Sequence, residues 1–462
     1  MMKPILSCLL LVISLSLPTQ TLANPVRPGG DTTTDKTGAN AFSMPASNLS
    51  FEERLDFSVG NSFFRNPWVV APATTDARDG LGPLFNTNAC QSCHIKDGRG
   101  HPPEHAGDNA VSMLVRLSIP ATAADLEFLK TQGVVPEPVY GGQLQDMAIP
   151  GAVPEGKLII DYRAESVRLQ GGALVELRHP ILHIGDPGYG PLRPDTLLSA
   201  RIAPPMIGLG LLEAITPADI LVGEDADDSN GDGISGRANR VWDHTRQQTV
   251  LGRFGWKAGQ PDLRQQNAGA FAGDMGLSSA LFGADDCTLA QDCGRFPGAG
   301  EQEVTDTVLD AVTFYSRHLA VPARRNMEDP RVRQGEQLFL AAGCGSCHTP
   351  SYLTGEHGSP TLSRQRIYPY TDLLLHDMGE GLADNRPEFL ADGREWRTPP
   401  LWGLGYAAEV AGGKAYYLHD GRARSLLEAV LWHGGEAERA KQTVIAMSDN
   451  ERERLLAFLE SL

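Results

Sequence analysis

Cys90-Gln91-Ser92-Cys93-His94 and Cys344-Gly345-Ser346-Cys347-His348 are the two stretches on which the reading of this chain turns. Both are C-x-x-C-H, the pattern by which a c-type haem is attached. The spacing follows from the chemistry. Two thiols one helical turn apart each add to a vinyl group of one porphyrin, and the adjacent imidazole reaches the iron. Other C-x-x-C readings fit less well: a thioredoxin-like motif lacks its βαβ context, and a zinc site needs paired ligands closer than 254 residues. Two covalently bound haem c groups are expected, with Cys90, Cys93, Cys344 and Cys347 as attachment points and His94 and His348 as proximal iron ligands. Leu84-Phe85 and Leu338-Phe339 precede the two motifs at the same 254-residue offset, which predicts a short amphipathic helix leading into each haem-binding turn.

Around these motifs lies an acidic chain of ordinary globular composition. With 462 residues it is too long for one core, and two or three domains are expected. Its 57 Asp and Glu against 40 Lys and Arg argue against nucleic acid as a partner. Met1 to Ala23 reads as a cleavable secretory signal: Lys3, an apolar run from Ile5 to Leu17, then small residues before Asn24. Cys8 has almost no hydrophobic segment before it, so a lipoprotein reading fails. No later apolar run is long enough to span a bilayer, and an exported, periplasmic protein without a transmembrane anchor is expected. Loss of the signal removes Lys3 as its only charged residue, so the formal charge moves from −17 to −18. Seven cysteines are too few for a disulfide scaffold. Outside the signal and the two motifs only Cys287 and Cys293 remain, in a polar loop. A small-loop disulfide is the plainer reading of that pair, and a redox-active thiol pair the sharper one.

The expected fold class is mainly α with a β insertion, built on two haem-bearing helical domains. After the signal, residues 24–48 read as a flexible leader and 49–109 as the first haem region. Residues 110–197 read as a β-rich insertion, because Val111–Ile119, Lys157–Arg163 and Ala173–Arg178 partly alternate. Residues 198–325 read as a helical and loop segment, and 326–462 as the second haem domain, ending in a strong helix.

The C-terminal region carries Arg397-Thr-Pro-Pro-Leu-Trp-Gly and Tyr417-Leu-His-Asp-Gly-Arg, followed by Leu426-Leu-Glu-Ala-Val-Leu-Trp-His433. These stretches resemble the bacterial di-haem cytochrome c peroxidases and the enzyme that matures the methylamine dehydrogenase cofactor. Asp79–Asn86, Tyr140–Gln145, Gly208–Ile215, Gly252–Ala258 and Tyr370–Gly379 extend the resemblance to one branch of that superfamily, the di-haem thiol oxidoreductases or peroxidases. The resemblance implies two cytochrome c-like haem domains. It also implies that the residue fourteen positions after His419, which is His433, is the distal ligand of the second haem. The superfamily has Met or Tyr there, and a second imidazole should lower that haem's potential. Leu426, Val430 and His433 share one helical face. His376 and Met378 are rival ligands, and His419 is expected to orient a ligand or propionate. Arg394, Arg397, Arg422 and Arg424 are candidates for propionate pairing.

By the same resemblance the first haem is the reactive one, needing an open sixth position and a distal acid-base group. Glu213, an acid in an apolar helical stretch, is the candidate catalytic residue. His101 and His105 are the nearby histidines. Asp225–Gly236 is oxygen-rich, and Asp228, Asn230 and Asp232 match the first half of a calcium loop, with Asn239 where the closing Glu would stand. Trp256 and Trp402 are candidate electron relays.

Three functions compete. The first is peroxidase-like oxidoreduction, with electrons from a periplasmic electron-transfer protein passing between two haems to hydrogen peroxide. The second is pure electron carriage. The third is thiol oxidation, which the family resemblance links to periplasmic iron handling.

Overall fold

The computed structural model describes residues 26–105, 108, 111–283, 286–296 and 302–462. The expected signal, Met1 to Ala23 with Lys3 and Cys8, lies outside them.

Two helix crossings of the same design organise the chain. Phe51–Arg65 packs on Asp306–Arg317, and Pro330–Ala341 packs on Asp449–Leu459. Capping boxes start two of the four helices, Ser50 with Glu53 and Ser448 with Glu451, each satisfying otherwise orphaned amides. At each crossing a glycine lets the backbones touch. A Cβ on Gly60 would lie 2.1 Å from the Ala311 carbonyl oxygen, and one on Gly335 would lie 1.9 Å from that of Arg454. One turn further on, aromatic rings meet: Phe64 with Tyr315 at 5.0 Å and Phe339 with Phe458 at 5.2 Å.

This geometry corrects the expected internal repeat. Leu338-Phe339 is helical, but Leu84-Phe85 is a strand paired with Met147–Ala148. The counterpart of Phe339 is Phe64, far earlier in the sequence. The helix that closes the first crossing, Asp306–Arg317, belongs to the segment expected to be separate from the first haem region.

Between these elements the chain folds mostly as ribbons and tied loops. All of its sheets among the described residues are two-stranded. Met113–Ser118 pairs with Leu197–Ile202, so the β insertion closes beyond residue 197. Lys157–Arg168 and Leu174–Gly185 form a long hairpin whose Leu158, Ile160, Val167, Val175 and Leu182 pack toward Trp396 and Trp432. The expectation of a mainly α fold is overturned, because only 30% of the chain is helical and 18% is strand. The reason is that the helices serve the crossings and short caps, while the long segments between them are ribbon and loop.

The expected flexible leader is also corrected over its described part, residues 26–48. Thr32, Thr33 and Phe42 are buried, and Thr34 and Pro45 bridge to Pro322 and Leu319. Threonine hydroxyls bond the local turn while Phe42 fills the core, so a polar composition that reads as loose is held on both sides.

Candidate functional site

Cys90–Cys93 forms a single helical turn, and His94 follows at its end. The His94 Nδ1 lies 2.8 Å from the Pro204 carbonyl oxygen, which fixes the proton on Nδ1 and leaves Nε2 as the metal-binding nitrogen. The Phe64 ring stands 6.2 Å from the imidazole. Burial, reinforced by the nearby Asp274 carboxylate, pushes the Cys90 thiol up to about 12. The Cys93 thiol is raised for the same reasons and donates to the Val111 carbonyl oxygen at 3.0 Å.

These three residues open onto a cavity of about 530 Å³. One wall is the Leu263–Met275 helix, where Gly269, Ala270 and Gly273 present a flat face. Pro204, Met206 and Trp256 line the cavity as well. Desolvation by burial lowers His94 to about 4, which keeps the ring neutral and able to ligate.

The second motif has a different surrounding. Cys344–Ser346 makes one tight turn after Gly343, whose φ of +87° suits only glycine well. The His348 Nδ1 lies 2.8 Å from the Tyr370 carbonyl oxygen, and Phe339 stands 6.1 Å from the ring. Burial lowers His348 to about 4, and His433 depresses it further through the electrostatic influence of a near neighbour. The His433 Nδ1 lies 2.8 Å from the Ala429 carbonyl oxygen, again leaving Nε2 uncommitted. His433 is thus near enough to act electrostatically on His348, and each ring has its Nδ1 held by a backbone carbonyl.

The chain matches, over residues 23–462, the family described as "di-haem oxidoreductase, putative peroxidase". It belongs to that family. No curated protein matches it. Haem is the cofactor that membership implies, and the residues present fit one. A Cβ on Gly269 would meet nothing closer than 3.7 Å and one on Gly273 nothing closer than 3.8 Å, so side chains there would occupy the space a flat ring needs. Arg99 and Arg397, on the same cavity, are cationic groups without a carboxylate within salt-bridge distance among the described residues. Arg99 lies against Trp256 and Tyr417, and Arg397 donates to the Gly255 and Thr398 carbonyl oxygens.

Glu213 is occupied elsewhere. It accepts from Arg317 and from the Leu263 amide at 2.8 Å, with His357 at 3.4 Å. Although burial opposes ionisation, the bonds from His357 and Arg317 win and hold the carboxyl at about 2. Such a group is a fixed anion at neutral pH, and it is not among the residues lining the cavity, so the acid-base role expected for it has no geometric support.

His376 sits between Asp372 at 2.8 Å and Glu436 at 2.7 Å. Burial opposes its charge, yet these bonds raise its pKa well above the usual value, so it is a cation with both nitrogens committed rather than an iron ligand. Met378 packs toward Trp396 and Trp432, and His419 stacks on Trp396 at 3.7 Å. Of the four arginines expected for propionates only Arg397 reaches the cavity. Arg394, Arg422 and Arg424 pair with Glu380, Asp420 and Glu428. His101 bonds the Pro102 carbonyl oxygen and His105 is exposed. Trp256 lines the cavity, whereas Trp402 is core.

The candidate calcium loop is tied by its own amides. Asp228, Asn230 and Asp232 accept from the amides of Gly233, Asp232 and Ile234 in their own loop. Asn239 is buried and bonds Lys257, Glu388 and Leu390 backbone groups. Among the described residues no three His, Cys, Asp or Glu side chains gather to hold a metal ion. The alternating oxygens serve turn amides in this loop.

Sequence reasoning missed Arg99, Arg116, Arg201, Arg386 and His244 on the cavity wall. The signal for Arg116 and Arg201 was present in strand alternation, since Leu114 and Arg116 share a face and Leu114 opposes Arg201. Nothing local marked Arg99, Arg386 or His244.

Proposed function

We propose that this protein is an exported, peroxidase-like oxidoreductase with two covalent c-type haems, one open and one closed. The single observation that carries this reading is the asymmetry of the two motifs. His94 lines a 530 Å³ cavity, whereas His348 has His433 close enough to act on it electrostatically. Haem bound at these positions supplies one-electron chemistry at each iron and, where the sixth position is free, a place for a small oxidant such as hydrogen peroxide. The chain's own residues divide the tasks. The Pro204, Tyr370 and Ala429 carbonyls orient the three imidazoles with Nε2 turned inward. Cys90, Cys93, Cys344 and Cys347 are thiols outside the disulfide, in position for thioether attachment. His244, Gln260 and Gln266 are polar groups on the cavity wall suited to hold a proton or a water. Residues 1–23 serve as the export signal, and a periplasmic electron-transfer protein is the partner.

Thiol oxidation is the second reading, favoured by one observation. Cys287 and Cys293 are joined in a disulfide, and Asp286, next to Cys287, lines the cavity.

The fully haem-loaded protein distinguishes these readings by electron paramagnetic resonance and resonance Raman spectra. The expected result is one high-spin haem that responds to peroxide and one low-spin haem, with the low-spin signal converted by His433→Ala. Two low-spin haems indifferent to peroxide would make the protein an electron carrier. A low-spin signal unchanged in His433→Ala would remove His433 from the iron.

A further inference from the structure

The cavity wall carries five guanidiniums, Arg99, Arg116, Arg201, Arg386 and Arg397, against the carboxylates of Asp274, Asp286 and Glu388. That balance is opposite to the chain as a whole, whose formal charge is −17. Hydrogen peroxide is neutral and needs no such wall.

Arg99 and Arg397 both adjoin the Gly255-Trp256 segment and suit the two propionates of one haem. The other three form a separate group on other elements. Arg116 and Arg201 come from the paired strands Met113–Ser118 and Leu197–Ile202, and Arg386 from the loop that also supplies Asp384 and Glu388. Arg201 donates to Glu388 at 2.7 Å and to Ser199 at 3.0 Å, and its Nη2 is 3.7 Å from Asp384. Arg386 donates to the same Glu388 oxygen at 3.1 Å.

Both are more than nine-tenths buried, and each keeps a buried nitrogen with no hydrogen-bond partner among the described residues: Nη2 of Arg201 and Nε of Arg386. Arg116 makes no salt bridge or side-chain hydrogen bond there, though Asp274 feels its charge. Asp384 is shared with Lys257, which binds it at 2.9 Å. Four cations therefore meet three carboxylates in this group, Asp384, Glu388 and, beside Arg116, Asp274, and the excess buried positive charge calls for a counter-ion.

Position argues against a propionate as that counter-ion. Asp274 acts electrostatically on Cys90, Cys93 and Arg116 alike. Arg116 thus shares the Asp274 neighbourhood with the attachment cysteines, which Arg99 and Arg397 do not.

We propose that Arg116, Arg201 and Arg386 form a carboxylate-binding subsite of the cavity, and that the substrate is an organic anion bound beside the haem. The substrate assignment rests on the cavity being the reaction chamber of the proposed oxidoreductase; the anion subsite itself does not. Planar guanidiniums with free N–H groups are matched to carboxylate geometry, and a charge-assisted bond of this kind contributes about 1.5–3 kcal/mol.

Succinate, with succinamide as the uncharged control, tests this on the haem-loaded protein by calorimetry and by the optical spectrum of the first haem. Succinate should bind, succinamide should not, and Arg116→Gln should weaken succinate at least about tenfold. Arg116 is the residue to change because its loss strands no salt-bridge partner. Absent succinate binding, or equal affinity in the variant, would each overturn the proposal. Arg116-dependent binding that leaves the haem spectrum unmoved would uphold the subsite and count against the cavity as the haem chamber.

Discussion

Glu213 shows what a single side chain owes to residues distant in sequence. Its position in an apolar helical stretch suggests a reactive acid, but Arg317 and His357 lie 104 and 144 residues further on, and they turn it into a structural anion. Because its folded pKa of about 2 is below the ordinary 4.5, its stabilisation is complete above pH 4.5 and is lost as pH falls toward 2. The difference corresponds to about 3 kcal/mol. Thermal midpoints of the wild type should therefore fall more steeply between about pH 5 and pH 3 than those of Glu213→Gln, which starts lower at neutral pH. Parallel pH profiles would show that the ion pair with Arg317 contributes little. His94, His348 and His433 stand at the other extreme. The ligating roles proposed for them come from local spacing and family resemblance, and the fold adds the three backbone carbonyls that hold their Nδ1 atoms.

At the level of elements, the helix crossings explain why the two haem motifs look alike in sequence but not in their approach. Gly335 and Phe339 precede Cys344 by nine and five residues in one continuous helix. In the first half, Gly60 and Phe64 occupy the equivalent places, but a strand and loops separate them from Cys90. The shared Leu-Phe offset therefore misled: it matched a helix to a strand. The crossing itself leaves no spacing signal, because its two helices are far apart in the chain. It does make a prediction. Gly335→Val would drive side-chain atoms into the Arg454 backbone and should cost about 1–3 kcal/mol, read as a lowered unfolding midpoint in urea. Since Phe339 sits one turn away against His348, the same substitution should also alter the low-spin haem spectrum. An unchanged midpoint would mean that the helices can separate without loss.

Across the whole molecule, an acidic chain encloses a cationic cavity. The formal charge of −17 should steer the proposed electron donor, if basic, toward the surface. Reduction by a basic c-type donor should slow about tenfold as salt rises from about 10 mM to about 150 mM, because screening shortens the reach of surface charge. A rate indifferent to ionic strength would assign the encounter to apolar contact. By itself the sequence determined the two attachment motifs, the orienting histidines, the family and the charge of the chain, since each depends on residue type and short spacing alone. It could not determine which motif lines a cavity, which acid is paired or where the arginines converge. Those depend on partners brought from more than 100 residues away: Arg201 to Glu388, Glu213 to Arg317, Gly60 to Ala311. Burial then decides their chemistry, because a charge removed from water must find a counter-charge, and only the folded chain decides which one is near.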